Sequence, residues 1–234
     1  MSSLWIDLAA RASLPLSQQQ VALLNRYLDL LLQANARMNL TRITDRAQAE
    51  VQHVGDSLTL LPFIPIGPLR IADIGSGGGV PGIPLAIARP EAHFTLVEST
   101  KKKAAFLRQA VEQMGLTNIL ISDQRAEDLA QSDQRETFDI VIARAVATLD
   151  WLVEWAMPLV KKGGRFLAMK GPKVEAEIPL AKKALNLTAA GAPIVHRIDL
   201  PGTDHRLVIE IPKQGKSDPR YPRPPTQAKG KPLA

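Results

Sequence analysis

The stretch from residue 69 to 84, Leu-Arg-Ile-Ala-Asp-Ile-Gly-Ser-Gly-Gly-Gly-Val-Pro-Gly-Ile-Pro, limits the fold more than any other part of the chain. A short apolar run, Leu69 to Ile74, ends in a glycine cluster, and an amphipathic stretch, Ile83 to Ala88, follows. Strand, tight turn and helix in this order form the unit on which nucleotide-like cofactors sit. Gly75, Gly77 and Gly79 carry no side chain, so the backbone there can turn sharply and come close to a ligand. Pro81 suits the first turn of the next helix, where its missing N–H goes unmissed.

Two frames of this loop compete. Gly75-x-Gly77-x-Gly79 is the pattern of S-adenosylmethionine (SAM) methyltransferases, and Gly77-x-Gly79-x-x-Gly82 satisfies the dinucleotide fingerprint. Asp73 separates them. A carboxylate just before the first glycine repels a pyrophosphate in a site of low dielectric and favours the ammonium and sulfonium charges of SAM. Glu98 closes the next predicted strand, 23 residues after Gly75. An acid at that place reaches the ribose hydroxyls of a bound nucleoside, whichever of the two cofactors carries it.

The surrounding pattern alternates. Strands are predicted at 69–74, 93–98, 118–122, 138–143 and 164–170, with helices at 82–89, 101–114, 125–130, 149–159 and 173–186 between and after them. This order predicts a parallel, doubly wound sheet with right-handed crossovers. Pro193 to Leu200, a break at Pro201-Gly202-Thr203-Asp204, and Arg206 to Ile211 read as a terminal hairpin. Five parallel strands and a closing hairpin are the plan of a Rossmann-like class I SAM-dependent methyltransferase, a mostly parallel seven-stranded sheet with helices on both faces. Ahead of the sheet, Ser17 with Gln20 makes a capping box for a helix over 17–36. A second helix is expected over 45–61, with His53, Asp56 and Ser57 on it. The chain thus divides into an N-terminal helical extension (1–65), a cofactor domain (66–212) and a tail (213–234), within one compact domain.

Composition narrows the chemistry. The 234 residues include no cysteine, which excludes disulfides, thiolate zinc sites, iron–sulfur clusters and cysteine nucleophiles. No cluster of histidines and carboxylates has metal-ligand spacing, so no metal is expected. The start lacks a basic segment followed by a long apolar core, and no apolar run approaches a membrane span. These features predict a cytoplasmic protein with no membrane partner; a monomer is the default expectation. The net charge of +6 is concentrated in the tail, where Lys213, Lys216, Arg220, Arg223, Lys229 and Lys231 face only Asp218. Such basic, proline-rich arms bind nucleic acid phosphates or stay solvated.

Candidate site residues sit at the predicted strand ends. Ala126 and Glu127 follow the third strand, where backbone groups can read an adenine edge or simply start a helix. Arg144 ends the fourth strand, where ligands bind, and could pair with the methionine carboxylate or a substrate phosphate. The Asn or Asp, prolines and aromatic that serve exocyclic amine methylation are absent here. Guanine N7 fits this inventory, because its lone pair lies in the ring plane and no proton must leave before attack. Alignment alone then supplies most of the rate. Lys170 ends the fifth strand on the same side. Lys101, Lys102 and Lys103 begin a helix and read as a solvated face.

Taken in order, Asn39-Leu40-Thr41, His53-x-x-Asp56-Ser57, the Asp73 to Pro84 loop, Arg144-Ala-Val-Ala147, Lys170-Gly171 and Tyr221-Pro222-Arg223 make a specific set. The chain resembles the bacterial small-subunit ribosomal RNA guanine-N7 methyltransferase G family, from about Ser17 to Leu233. The resemblance implies SAM-dependent N7 methylation of one guanine in the 530 loop of 16S rRNA, on the RNA or a small-subunit precursor. It implies SAM contacts at Gly75, Val80, Ala126, Glu127 and Arg144, to which the physical argument adds Asp73, Gly77, Gly79 and Glu98. Asn39, His53, Asp56, Ser57, Lys170, Tyr221 and Arg223 are the candidate RNA contacts. Pro224 stands where similar proteins often carry a second arginine, which bears on how many phosphates the tail grips. Three other readings stay open at this point: a small-molecule methyltransferase, a non-catalytic RNA-binding module on the same fold, and an NAD oxidoreductase.

Overall fold

Ser17 starts the longest helix. Its hydroxyl accepts from Gln20 N, and the Gln20 side chain accepts in turn from Ser17 N, so two of the helix's orphan amides are satisfied reciprocally. The computed structural model describes residues 2–144, 146–203, 206–228 and 230–233. Asp204 of the expected break and Lys229 of the basic tail lie outside the described residues. Helix α1 (Ser2–Arg11) precedes α2 (Gln18–Met38), whose Leu24, Tyr27, Leu28 and Leu31 are fully buried. Nothing in the sequence pattern was used to expect α1. Its anchor is Trp5, buried with its indole N–H donating to Glu50 O at 2.9 Å.

The seven strands are β1 (Arg70–Ile74), β2 (His93–Val97), β3 (Ile119–Ser122), β4 (Phe138–Arg144), β5 (Val160–Lys170), β6 (Ile194–Ile198) and β7 (Arg206–Pro212). They form one sheet in the order β3-β2-β1-β4-β5-β7-β6. The first five are parallel, and β7 runs antiparallel between β5 and β6. This is the class I methyltransferase sheet that the alternation predicted.

Strand side chains alternate between two cores. Ile71, Phe94, Leu96, Ile140 and Ile142 face α1 and α2 together with α5 (Gly82–Ala88) and α6 (Lys101–Met114). Ala72, Ile74, Val97, Val141 and Ala143 face α7 (Ala126–Leu129), α8 (Leu149–Ala156) and α10 (Lys182–Leu187). A parallel sheet covered on both faces needs apolar residues at successive positions, which is why these strands read as continuous apolar runs. Truncating a fully buried member such as Leu28 or Phe166 costs on the order of 2–5 kcal/mol.

Four expectations are corrected. Ile83 to Ala88 is not amphipathic; every residue of α5 is buried, because α2 covers the side that the sheet does not. The helix expected over 45–61 is three pieces: α3 (Arg46–Ala49), a π-helical turn (Glu50–Gly55) and α4 (Asp56–Leu58). The helix expected over 173–186 divides at Pro179, which has no N–H to give. It becomes α9 (Val174–Glu177), a 3₁₀ turn (Pro179–Ala181) and α10.

The fourth correction concerns the tail. Lys213 is buried, with Nζ donating to Met157 O and lying 3.2 Å from Glu136 Oε1. Arg135 donates to Tyr221 O and Asp218 O, and Gln131 donates to Pro222 O. Arg223 makes a bidentate pair with Glu154, whose side chain is wholly buried on α8. Tyr221 and Leu233 pack on the core beneath. Two of the cations that suggested a phosphate-gripping arm, Lys213 and Arg223, are therefore spent inside the protein, while Lys216, Arg220 and Lys231 stay exposed. Arg223→Ala is expected to destabilise the fold by about 3–5 kcal/mol, because it strands the Glu154 carboxylate without a counter-charge; urea denaturation would measure it.

Candidate functional site

Parallel strands bring their carboxyl ends to one edge, and the strand order reverses between β1 and β4. The ends of these two strands lie side by side, Asp73 in register with Ile142. Ligands bind in such sheets at this switch point. The glycine turn leaves β1 there, with positive φ at Gly75 (70°), Gly77 (56°) and Gly79 (96°). Residues with a Cβ rarely adopt this backbone. From beneath, α2 supports the turn: Tyr27 Oη donates to Gly78 O at 2.9 Å, and Leu31 lies against Gly78.

Acidic side chains close in around the turn. Glu98, at the end of β2, accepts from Gly77 N at 3.0 Å and Thr100 N at 2.8 Å, which fixes the turn to the start of α6. Glu127 is buried just past β3, paired with Arg125, and Ala126 begins α7 beside it. Val80 is buried within the turn. Asp73 is fully buried, and its Oδ2 accepts from Gly82 N at 3.0 Å at the start of α5. Its Oδ1 has no hydrogen-bond partner among the described residues. Burial raises the Asp73 pKa to about 7, with the Gly82 amide and Arg144 opposing the rise. The carboxylate thus turns under the loop rather than standing before the first glycine. Its charge acts across the backbone, and it is weaker than the ordinary pKa of an aspartate implies.

A cavity of about 1620 Å³ opens beside the end of β4, between the N-terminal helices and the loops after β5 and before β7. Arg144 is its centre. Its guanidinium donates to Gln52 O at 2.7 Å and Asp56 Oδ2 at 3.1 Å, and lies 3.2 Å from His53 Nδ1. His53 Nε2 is 3.0 Å from Thr41 Oγ1, and Thr41 N donates to Asn35 Oδ1. The π-helical turn supplies both Gln52 and His53; such turns often occur at functional sites. Burial lowers the His53 pKa to about 4, and the Arg144 charge lowers it further in the same direction. His53 is therefore neutral at neutral pH.

Of the expected residues, the cavity brings together Asn39, His53, Asp56, Arg144 and Lys170. Ser57 is left out: it is fully buried, and its hydroxyl donates to His53 O one turn back. Tyr221 and Arg223 belong to the tail packing on the opposite face of the sheet. Sequence reading missed Arg42, Lys173, Glu177 and Arg206, which also line the cavity. Arg206 begins β7 with Nε 3.5 Å from Asp56 Oδ1. Only the sheet order juxtaposes residues so far apart in the chain, and no local pattern marks them. Among the described residues, no group of His, Cys, Asp and Glu could hold a metal, and no helix is long and apolar enough to cross a membrane.

A sequence profile described as GidB, rRNA small subunit methyltransferase G, matches residues 20–200. The chain belongs to the rRNA small subunit methyltransferase G family. Members of that name include a protein of Pelotomaculum thermopropionicum, 40% identical over 228 residues that cover 96% of this chain and 95% of the relative. Another, from Roseiflexus castenholzii, is 41% identical over 219 residues, covering 93% and 94%. Solved structures share the fold of this family member at low identity. They include M. jannaschii TYW2 in complex with AdoMet (TM-score 0.53, 17% identity, 74% of this chain and 79% of that one). The ribosomal protein L11 methylase of Lactobacillus delbrueckii subsp. bulgaricus has a TM-score of 0.52 at 16% identity, covering 70% and 79%.

The raised Asp73 pKa has a definite sign in stability. Between about pH 4 and 7 the unfolded chain has lost the Asp73 proton while the folded chain still holds it, so this group's contribution falls as pH rises. Asp73→Asn keeps an acceptor for Gly82 N and removes the titration. Its stability relative to the parent is expected to rise steadily across that window in urea denaturation at stepped pH, and to be flat above it.

Proposed function

We propose that this protein transfers a methyl group from S-adenosylmethionine to N7 of one guanine in the 530 loop of 16S rRNA. The family profile across residues 20–200 carries the reading, and the two halves of the site support it. Glu98 at the end of β2 and Glu127 on α7 are buried carboxylates beside the glycine turn, and Asp73 lies beneath it. Such a surround suits a ligand bearing ammonium and sulfonium groups and opposes a pyrophosphate. The residues that would hold the cofactor are Gly75, Gly77, Gly79 and Val80 of the turn, with Glu98, Ala126 and Glu127 beside it and Arg144 at its edge. The cofactor supplies an electrophilic methyl on a positively charged sulfur.

The cavity supports the other half. Among the described residues, Arg42, Arg144, Lys170, Lys173 and Arg206 line it against Asp56 and Glu177, an excess of cations that suits RNA phosphates. Guanine N7 has no proton to lose, so the site needs no base. A neutral His53 agrees with this: it orients Arg144 and Thr41 and moves no proton. What remains is to hold the base in line and exclude water, which positioning can accomplish. Asn39, exposed in a left-handed turn at the end of α2, stands at the rim where an RNA strand would enter.

The reading is tested by incubating the chain with methyl-labelled SAM and either 16S rRNA or small subunits lacking the modification. Label is expected as N7-methylguanine in the 530 loop; label elsewhere, or none on either acceptor, overturns it. Arg144→Ala is expected to lower turnover by roughly 10²-fold with the cofactor and RNA both saturating. Arg144→Lys should not restore it, since an ammonium cannot span Gln52 O and Asp56 as the planar guanidinium does. Turnover and melting temperature measured together would check both.

A further inference from the structure

Lys170 and Glu177 both face the large cavity, and neither is free there. Lys170 Nζ donates to Ala147 O at 2.8 Å and lies 2.7 Å from Glu177 Oε2. The same Glu177 oxygen accepts from Leu149 N at 2.7 Å. Leu149 is the first residue of α8, and the positive end of a helix favours a carboxylate. One carboxylate and one ammonium therefore pin the backbone on both sides of Thr148.

The neighbouring residue, Val146, lies on the cofactor side. A Cβ built on Gly75 would stand 2.7 Å from Val146 Cγ2, so the valine rests directly on the first glycine of the turn. Val146 is 39% exposed, so the core does not enclose it. Its neighbour Ala147 is held by core packing and by the bond from Lys170 to its carbonyl. The cavity and the glycine turn thus share a short connection through Glu177, Lys170 and Ala147.

An RNA phosphate entering the cavity would meet this arrangement at Lys170. Glu177 opposes it twice, by neutralising the ammonium and by presenting its own negative charge to a polyanion. A phosphate that captures Lys170 loosens the hold on Ala147 O, and with it the seat of Val146 over Gly75. We propose that Glu177 is a positioning residue that couples the two halves of the site. It keeps Lys170 on the 146–148 loop, and Val146 on the glycine turn, until an RNA phosphate draws the ammonium away. The inference rests on the reading of the site as one for SAM and rRNA. Because both ligands favour the released loop, each strengthens the other's binding by the same factor.

Calorimetry on the full chain tests this, with S-adenosylhomocysteine as the cofactor probe, titrated with and without saturating 16S rRNA. The parent chain is expected to bind the probe about fivefold or more tightly with RNA present. Glu177→Gln keeps an acceptor for Leu149 N but loses the charge that holds Lys170. It should bind the probe more tightly without RNA, bind RNA more tightly, and gain less than about twofold from adding the second ligand. Val146→Ala, which removes the methyls from Gly75 without touching the cavity, should tighten probe binding and leave RNA affinity unchanged. Probe affinity unchanged or weakened in both variants overturns the inference. Methyl transfer by the parent is read alongside: a chain that methylates RNA yet shows no coupling overturns this inference alone, whereas a chain that methylates neither acceptor overturns the functional reading beneath it.

Discussion

The site depends on a guanidinium that comes from one layer of the protein and is held by another. Arg144 extends from the end of β4, and its partners, Gln52 O, Asp56 and His53, all lie on the helical segment that precedes the sheet. The N-terminal helices are thus part of the machinery and not an appendage. They carry Thr41 and Asn35 behind the histidine and roof the cavity, and α2 buttresses the glycine turn through Tyr27 and Leu31. Without this roof, Arg144 would be a cation at an open strand end, hydrated and without fixed direction.

Charge is distributed accordingly. Buried acids flank the glycine turn, and cations exceed acids among the described residues that line the cavity. Arg144 stands at the border, and its field reaches both sides: it opposes the rise in the Asp73 pKa and helps lower that of His53. A reaction that turns a neutral base into a cation while its donor becomes neutral needs no proton carrier. His53, held between Arg144 and Thr41, fits a positioning role in such a site.

Much of this was legible in the sequence where the chain's own neighbours set the structure. The capping box at Ser17, the helix over 101–114 and the glycine turn depend on contacts within a few residues, and each was read closely. The alternation of strands and helices gave the sheet because crossover handedness leaves few alternatives. What failed were statements about where a side chain ends up. Ser57 shares a helix turn with His53 but points inward to a carbonyl. Asp73 precedes the first glycine but bonds to Gly82. The tail's cations look like an RNA-binding arm, yet Arg223 answers the buried Glu154 and Lys213 is itself buried beside Glu136, which charge counting cannot see. Arg206 and Glu177 reach the cavity only through the sheet order, at separations no local pattern spans.

The docked tail has a consequence for how the chain is made. The face of the sheet that carries α8 is completed by residues 213–233, with Lys213 and Leu233 buried in it and Glu154 neutralised by Arg223. These are the last of the described residues to be synthesised. While they are still within the exit tunnel of a translating ribosome, α8 presents an uncompensated carboxylate and an uncovered apolar surface. The α8 face of the sheet is therefore complete only once residues as late as Arg223 and Leu233 are in place.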